Sequence, residues 1–335
     1  MKKTITFGEL LVRLNAPDHR RFIQSTSFEV HYGGSEANVA LSLRKFGVDA
    51  SFVTRLPDNE IAESALSFLH QHGVDTEATL FGGSRMGLYY LEKGALLRAS
   101  KVIYDRAHSS FSELKPGMIN WKAILKDAHH FHWSGITPAL SYSLAAVCEE
   151  ALKVASDMGI LVSADCNFRA NLWKYGKRPS EVMPHLLAYC DVVLGGKDDS
   201  ELMLGIPVEK DEDLKSVFKK WKIRFPKLKS IASTVRNEAT ASGYLWQGVL
   251  WQNECLYTSK QYALTNIVDR VGAGDAYMAG IVYGLLQHSE DAQRTVDFAT
   301  AAASLKHTIP GDVNLASLSE VLNVMKGDNG GRILR

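Results

Sequence analysis

No Cys-x-x-Cys pair occurs in this chain, and its four cysteines, Cys148, Cys166, Cys190 and Cys255, are widely scattered. That spacing excludes a disulfide framework and fits reduced thiols in a cytoplasm. No run of about 18 apolar residues exists, so no membrane span is expected. Met1-Lys2-Lys3-Thr4-Ile5-Thr6-Phe7-Gly8 is too poor in apolar residues for a signal peptide. Excess charge is missing too: 38 Lys and Arg face 37 Asp and Glu, a formal net charge of +1. So even a balance gives no electrostatic case for nucleic acid or membrane binding. A P-loop, Gly-x-x-x-x-Gly-Lys-Ser/Thr, is absent, and the glycines near Gly272 lack the third member of a dinucleotide fingerprint. The expectation is a cytoplasmic globular protein.

With 335 residues, 46% of them hydrophobic, the chain can build one large α/β domain or two ordinary ones. Short segments at 5–7, 50–54, 129–133, 160–164, 191–194 and 229–235 read as strands. Helical patterns lie near 60–72, 141–158, 180–188 and 212–221. Their alternation predicts an α/β fold with a mainly parallel sheet covered by helices on both faces. Leu10, Val12 and Leu14 instead alternate with polar residues, as do Met86–Leu91 and Lys101–Arg106 in part. These segments read as half-exposed ribbons that cover a ligand, another subunit, or both.

Two glycine-led stretches carry the chemistry. Gly33-Gly34 precedes a buried helical pattern containing Asn38 and closing at Gly47, which suits a left-handed C-terminal residue. Asp269-Arg270-Val271-Gly272-Ala273-Gly274-Asp275 opens into an apolar segment of helical length. Bare amides at a helix N-terminus suit a phosphate-like anion. A carboxylate at Asp275 repels an anion but can take a proton from a hydroxyl while the amides hold a phosphoryl group. Either stretch alone also reads as a plain turn.

In parallel sheets, ligands sit beyond the carboxyl ends of the strands. Three loops fall on that edge: Asp165-Cys166-Asn167-Phe168-Arg169, Gly195 to Glu201, and Arg236-Asn237-Glu238. His130 and His132 share a strand face with no further ligand nearby, which favours packing over zinc.

The pairing of Gly33-Gly34-x-x-x-Asn38-x-Ala40 with Asp269-x-x-Gly272-Ala273-Gly274-Asp275 resembles the two signatures of ribokinase-like, PfkB-type carbohydrate kinases, across nearly the whole chain. Tyr89, Tyr104-Asp105-Arg106 and Asp165 to Arg169 look like the substrate-reading segments of 2-keto-3-deoxygluconate kinases. The resemblance implies a three-layer α/β/α domain over residues 1–326. Lid ribbons at about 9–32 and 85–110 would be inserted in it, and a loose tail would run from 327. It implies Asp275 as general base, with Gly272, Ala273 and Gly274 holding the transferring γ-phosphoryl. Arg106 and Arg169 would hold a sugar acid's carboxylate, Tyr89 and Tyr104 would orient it, and Gly34, Asn38 and Asp312 would contact the sugar. Asn167, Arg169, Thr234 and Arg236 would meet ATP, together with Gly272 and Gly274.

Magnesium is implied, with room for a monovalent cation, and so is a homo-oligomer formed through the lid. One departure stands out. The family's Asn-x-x-Glu element aligns here with Gly196 and Asp199, leaving Asp199 to act on the metal through water. A kinase for a neutral sugar such as fructose is the alternative, and a catalytically weak sugar-acid sensor is the alternative of another class.

Overall fold

Six parallel strands set the plane of the molecule in a computed structural model that describes residues 2–237 and 243–327. In spatial order they are Asp49–Val53, Lys3–Phe7, Ala128–Ser134, Leu161–Asp165, Val192–Leu194 and Ser230–Asn237. Three antiparallel strands extend the sheet: Gly243–Gln252, with Cys255–Thr258 and Tyr262–Thr265 both pairing to it. Apolar side chains pack on both faces. Ile5, Phe131, Trp133 and Trp221 belong to one cluster, and Phe52, Trp246, Tyr277 and Phe298 to the other. Burial on two faces extends to polar members of the parallel strands: Thr4, Thr6, His130 and His132 are as buried as Ile5, Phe7, Phe131 and Trp133.

The helix Ala273–Gln287 is apolar almost all round, with Ala276 to Val282 buried. Its glycines explain how it packs so closely. A Cβ on Gly280 would stand 2.4 Å from the Cα of Ala299, so the helix Ala292–Lys306 rests directly against it. An apolar interior holds the first turn of Ala273–Gln287 in a fixed place at the sheet's edge.

A separate four-stranded sheet forms from the segments expected to be lid ribbons, in the order Glu29–Gly33, Leu11–Asn15, Gly87–Glu92, Lys101–Asp105. The half-exposed ribbon expected from Leu10 onward is corrected here. Leu11–Asn15 is an inner strand, and its polar members Arg13 and Asn15 are both fully buried. Alternation identified two faces but not that the protein covers both. Lys101–Asp105, at the edge, is largely exposed as expected. The expected tail falls outside the described residues from position 328, and so does Glu238.

Candidate active site

The turn before Ala273–Gln287 is built from its own side chains. Asp269 Oδ1 accepts the Val271 amide at 3.0 Å, a short loop that lifts Gly272 into the left-handed region at φ 81°. A Cβ there would come within 1.7 Å of the Asp312 carbonyl oxygen, so no other residue fits. The Ala273 amide turns back to the Arg270 carbonyl at 3.3 Å. Among the described residues the amides of Gly272, Gly274 and Asp275 donate to nothing. Gly274 faces open space, with no atom within 4 Å of where its Cβ would be. Spare amides, the positive end of a 15-residue helix and an open approach make an anion site.

Asp275 lies beside that site and is held from both sides. Ser35 Oγ donates to Oδ1 and Asn38 Nδ2 donates to Oδ2, each at 2.7 Å. Asn167 Nδ2 in turn donates to Ser35 Oγ at 3.0 Å. The first turn of Ser35–Lys45 thus meets the first turn of Ala273–Gln287 through one carboxylate. Burial pushes the Asp275 carboxyl above its ordinary range, and the bonds from Asn38 and Ser35 pull it back. Such a group is a better base than a solvated aspartate and is still aimed.

A cavity of about 970 Å³ opens from Gly274 across the strand ends, lined by Asn167, Arg169, Thr234 and Arg236 among others. Asp165, placed on the ligand edge from the sequence but given no role of its own there, ends its strand in this cavity. Burial pushes its carboxyl well up, with Asp275 and Asp199 adding to the effect. Asp199 is pushed up to about 6, chiefly by burial, and one of its oxygens accepts the Gly196 amide at 2.8 Å. Among the described residues no cluster of three or more His, Cys, Asp or Glu could hold a metal unaided. Two carboxylates beside a phosphate site suit magnesium, which keeps waters and takes phosphate oxygens as further ligands.

The substrate residues divide into two groups. Arg169 is exposed at the mouth, its Nη1 donating to its neighbour's carbonyl, Phe168 O, at 2.9 Å. Its charge acts on Asp165, Asp199 and Asp275 alike. Others are already engaged by protein. Arg106 is clasped by Glu9, through Nε at 2.7 Å and Nη2 at 2.6 Å, and its guanidinium lies 5.7 Å from the Tyr104 ring. The Tyr89 hydroxyl donates to Asp312, whose other oxygen accepts Arg13 Nη1 at 2.8 Å.

The Gly34 amide is spent on Asn38 Oδ1 at 3.3 Å, and a Cβ on Gly34 would strike the Glu9 carbonyl. Sequence reasoning also missed Arg13, Ser35 and Lys306. Arg13 Nη2 reaches Asp269 at 2.6 Å and so ties the small sheet to the turn before Ala273–Gln287. His130 and His132 both bond Ser163 Oγ at 2.8 Å, and burial depresses each to about 3, so they are neutral packing groups.

Residues 1–317 match the family described as pfkB family carbohydrate kinase. The 2-dehydro-3-deoxygluconokinase of Thermotoga maritima, a crystal structure, is 41% identical with a TM-score of 0.93 over 98% of this chain and all of that one. The 2-dehydro-3-deoxygalactonokinase of Haloferax volcanii is 30% identical over 98% of both chains. The 2-dehydro-3-deoxygluconokinase of Thermoproteus tenax is 27% identical over 93% of this chain and 90% of its own.

Proposed function

The chain belongs to the pfkB family of carbohydrate kinases, and we propose that it transfers the γ-phosphoryl of ATP to the 6-hydroxyl of 2-keto-3-deoxy-D-gluconate. It is a phosphotransferase with an alcohol acceptor. The observation that carries the reading is a basic carboxylate, Asp275, held beside spare helix amides. Asp275 takes the hydroxyl proton as the oxygen attacks phosphorus. The bond to the bridging oxygen breaks and ADP leaves. Amides of Gly272, Gly274 and Asp275 hold the charge that spreads over the transferring group. Ala273 shapes that turn, and Asn167, Thr234 and Arg236 receive the nucleotide.

Asp165 and Asp199 would hold magnesium, which when bound neutralises phosphate charge. Arg169, exposed at the mouth, supplies the cation that a sugar acid needs and a neutral sugar does not, while Arg106 is held by Glu9 beside Tyr104. Relatives named for two sugar-acid epimers support that choice. Tyr104 orients the acceptor, while Tyr89 and Asp312 brace the lid through Arg13. Ile23, Val30, Leu97 and Ile103 leave the lid with an exposed apolar face, which supports self-association there.

The test is ADP release with 2-keto-3-deoxygluconate, its galactonate epimer, fructose and no acceptor. Preference for a sugar acid is expected, and the ratio between epimers reads the stereochemistry at C4. A preference for fructose would overturn the substrate assignment. Tight sugar-acid binding by calorimetry with no ADP formed under excess magnesium would identify a sensor.

A further inference from the structure

Lys306 ends the helix Ala292–Lys306, where a basic side chain ordinarily runs to solvent and answers the negative end of the helix dipole. This one is fully buried, at 0% exposure. Its ammonium donates to the Ile309 carbonyl at 2.9 Å and reaches the Asp269 carbonyl at 3.4 Å. Its Cε lies 3.4 Å from the point where a Cβ on Gly272 would stand. The cation sits directly behind the turn whose amides face the cleft.

A buried ammonium is costly unless charges and hydrogen bonds compensate it. Here burial lowers the lysine to about 8, Asp269, Asp312 and Asp275 oppose that, and Arg13 reinforces it. Arg13 pairs with both Asp269 and Asp312, one cation against two carboxylates, and Lys306 supplies the second positive charge. Methionine would fill nearly the same volume without desolvating a charge, so packing alone does not require a lysine. Main-chain carbonyl oxygens are also the ligands with which proteins replace the water shell of an alkali cation. The oxygens of Asp269 and Ile309 are spent on a cation that the chain carries itself.

We propose that the Lys306 ammonium is a resident cation of the catalytic turn, standing where a bound monovalent cation would otherwise stand. It joins the carbonyl at the head of the Asp269–Asp275 turn to that of the Ile309–Asp312 loop. It also lends positive potential to the amides of Gly272, Gly274 and Asp275. Lys306 is a positioning residue, since it acts through the turn. The inference rests on the kinase reading but not on which acceptor is used.

The experiment begins with wild-type turnover on the preferred acceptor, at fixed ionic strength, in potassium, sodium, ammonium or tetramethylammonium chloride. Failure of turnover on every acceptor would count against the kinase reading, separately from the ion arms. Equal rates and equal melting temperatures in the four salts are expected. A rate that requires potassium would overturn the proposal, with no variant needed. Lys306→Met and Lys306→Ala follow, with kcat expected to fall about 10–100-fold while the KM for ATP changes little.

In Lys306→Ala, ammonium or potassium is expected to restore turnover and raise the melting temperature in a saturable way. Tetramethylammonium should do neither. Wild-type turnover in Lys306→Met, or equal rescue by all four salts, would contradict the resident-cation role. If Lys306→Ala does not fold, the ion dependence of the wild type and the Lys306→Met rate still decide the matter.

Discussion

Two helices preceded by glycines meet at Asp275 from opposite sides, and their glycines do different work. Before Ser35–Lys45 the glycines are there for protein: a Cβ on Gly33 would lie 2.5 Å from the Asp312 carboxylate, and one on Gly34 would lie 2.1 Å from the Glu9 carbonyl. The Gly34 amide is satisfied internally by Asn38. Before Ala273–Gln287 the work is split. Gly272 is required by backbone shape, whereas Gly274 touches nothing and leaves its amide to the cleft. A glycine pair at a helix start therefore marks close packing in one place and a ligand in another. Whether the amides are already satisfied tells the two apart.

Four substitutions would break or sharpen that contrast. The largest effect belongs to Gly272→Ala, which adds left-handed strain to a backbone clash and should cost at least about 3 kcal/mol. Denaturant unfolding reads this directly, and a stable variant would mean that the turn can move. Gly274→Ala should unfold like wild type yet lose about 100-fold in turnover, because its methyl enters the phosphoryl site. An unchanged rate there would place the phosphoryl group elsewhere. Gly34→Ala should lose about 1–3 kcal/mol of stability through overpacking, with turnover falling only as far as the lid is displaced.

Ser35→Ala is the mildest, with about a tenfold loss of turnover expected from one hydrogen bond to a charged group. Its pH profile is the sharper reading. Asp275 must be ionised to act, so turnover is lost as pH falls through its folded pKa. The Ser35 bond holds that pKa down, so without it the acid limb moves to higher pH. A limb that stays put or moves down would separate Ser35 from the base.

The sequence made the mainly parallel sheet legible because its strands are buried on both faces and bounded by turn residues. It gave no element over Gly243–Gln252, the antiparallel strand that carries Tyr244, Trp246 and Trp251. Asp275, Asn38 and the Gly272 turn were legible because local chemistry defines them. Arg13 and Lys306 were not. Each reads locally as a surface charge, one on an alternating strand and one in a helix's last turn. Their partners, Asp269 and Asp312 for Arg13, lie more than two hundred residues away. Only tertiary structure reveals a buried charge when its counter-charges come from another part of the chain. Ser35 was missed for a related reason: as the first helical residue it resembles a cap, but its hydroxyl crosses to Asp275.

Asp275→Asn tests most directly whether Asp275 is the base for the acceptor hydroxyl, when turnover, sugar-acid affinity and melting temperature are measured together. Turnover should fall by about 1,000-fold or more, with the sugar-acid Kd within a few-fold of wild type. Because burial raises this carboxyl, its ionised form weakens the fold above the ordinary aspartate pKa. The amide should therefore melt at the same or a higher temperature at pH 7, and that advantage should fade as pH falls toward the ordinary range. Turnover within tenfold of wild type in a folded Asp275→Asn protein would contradict the account.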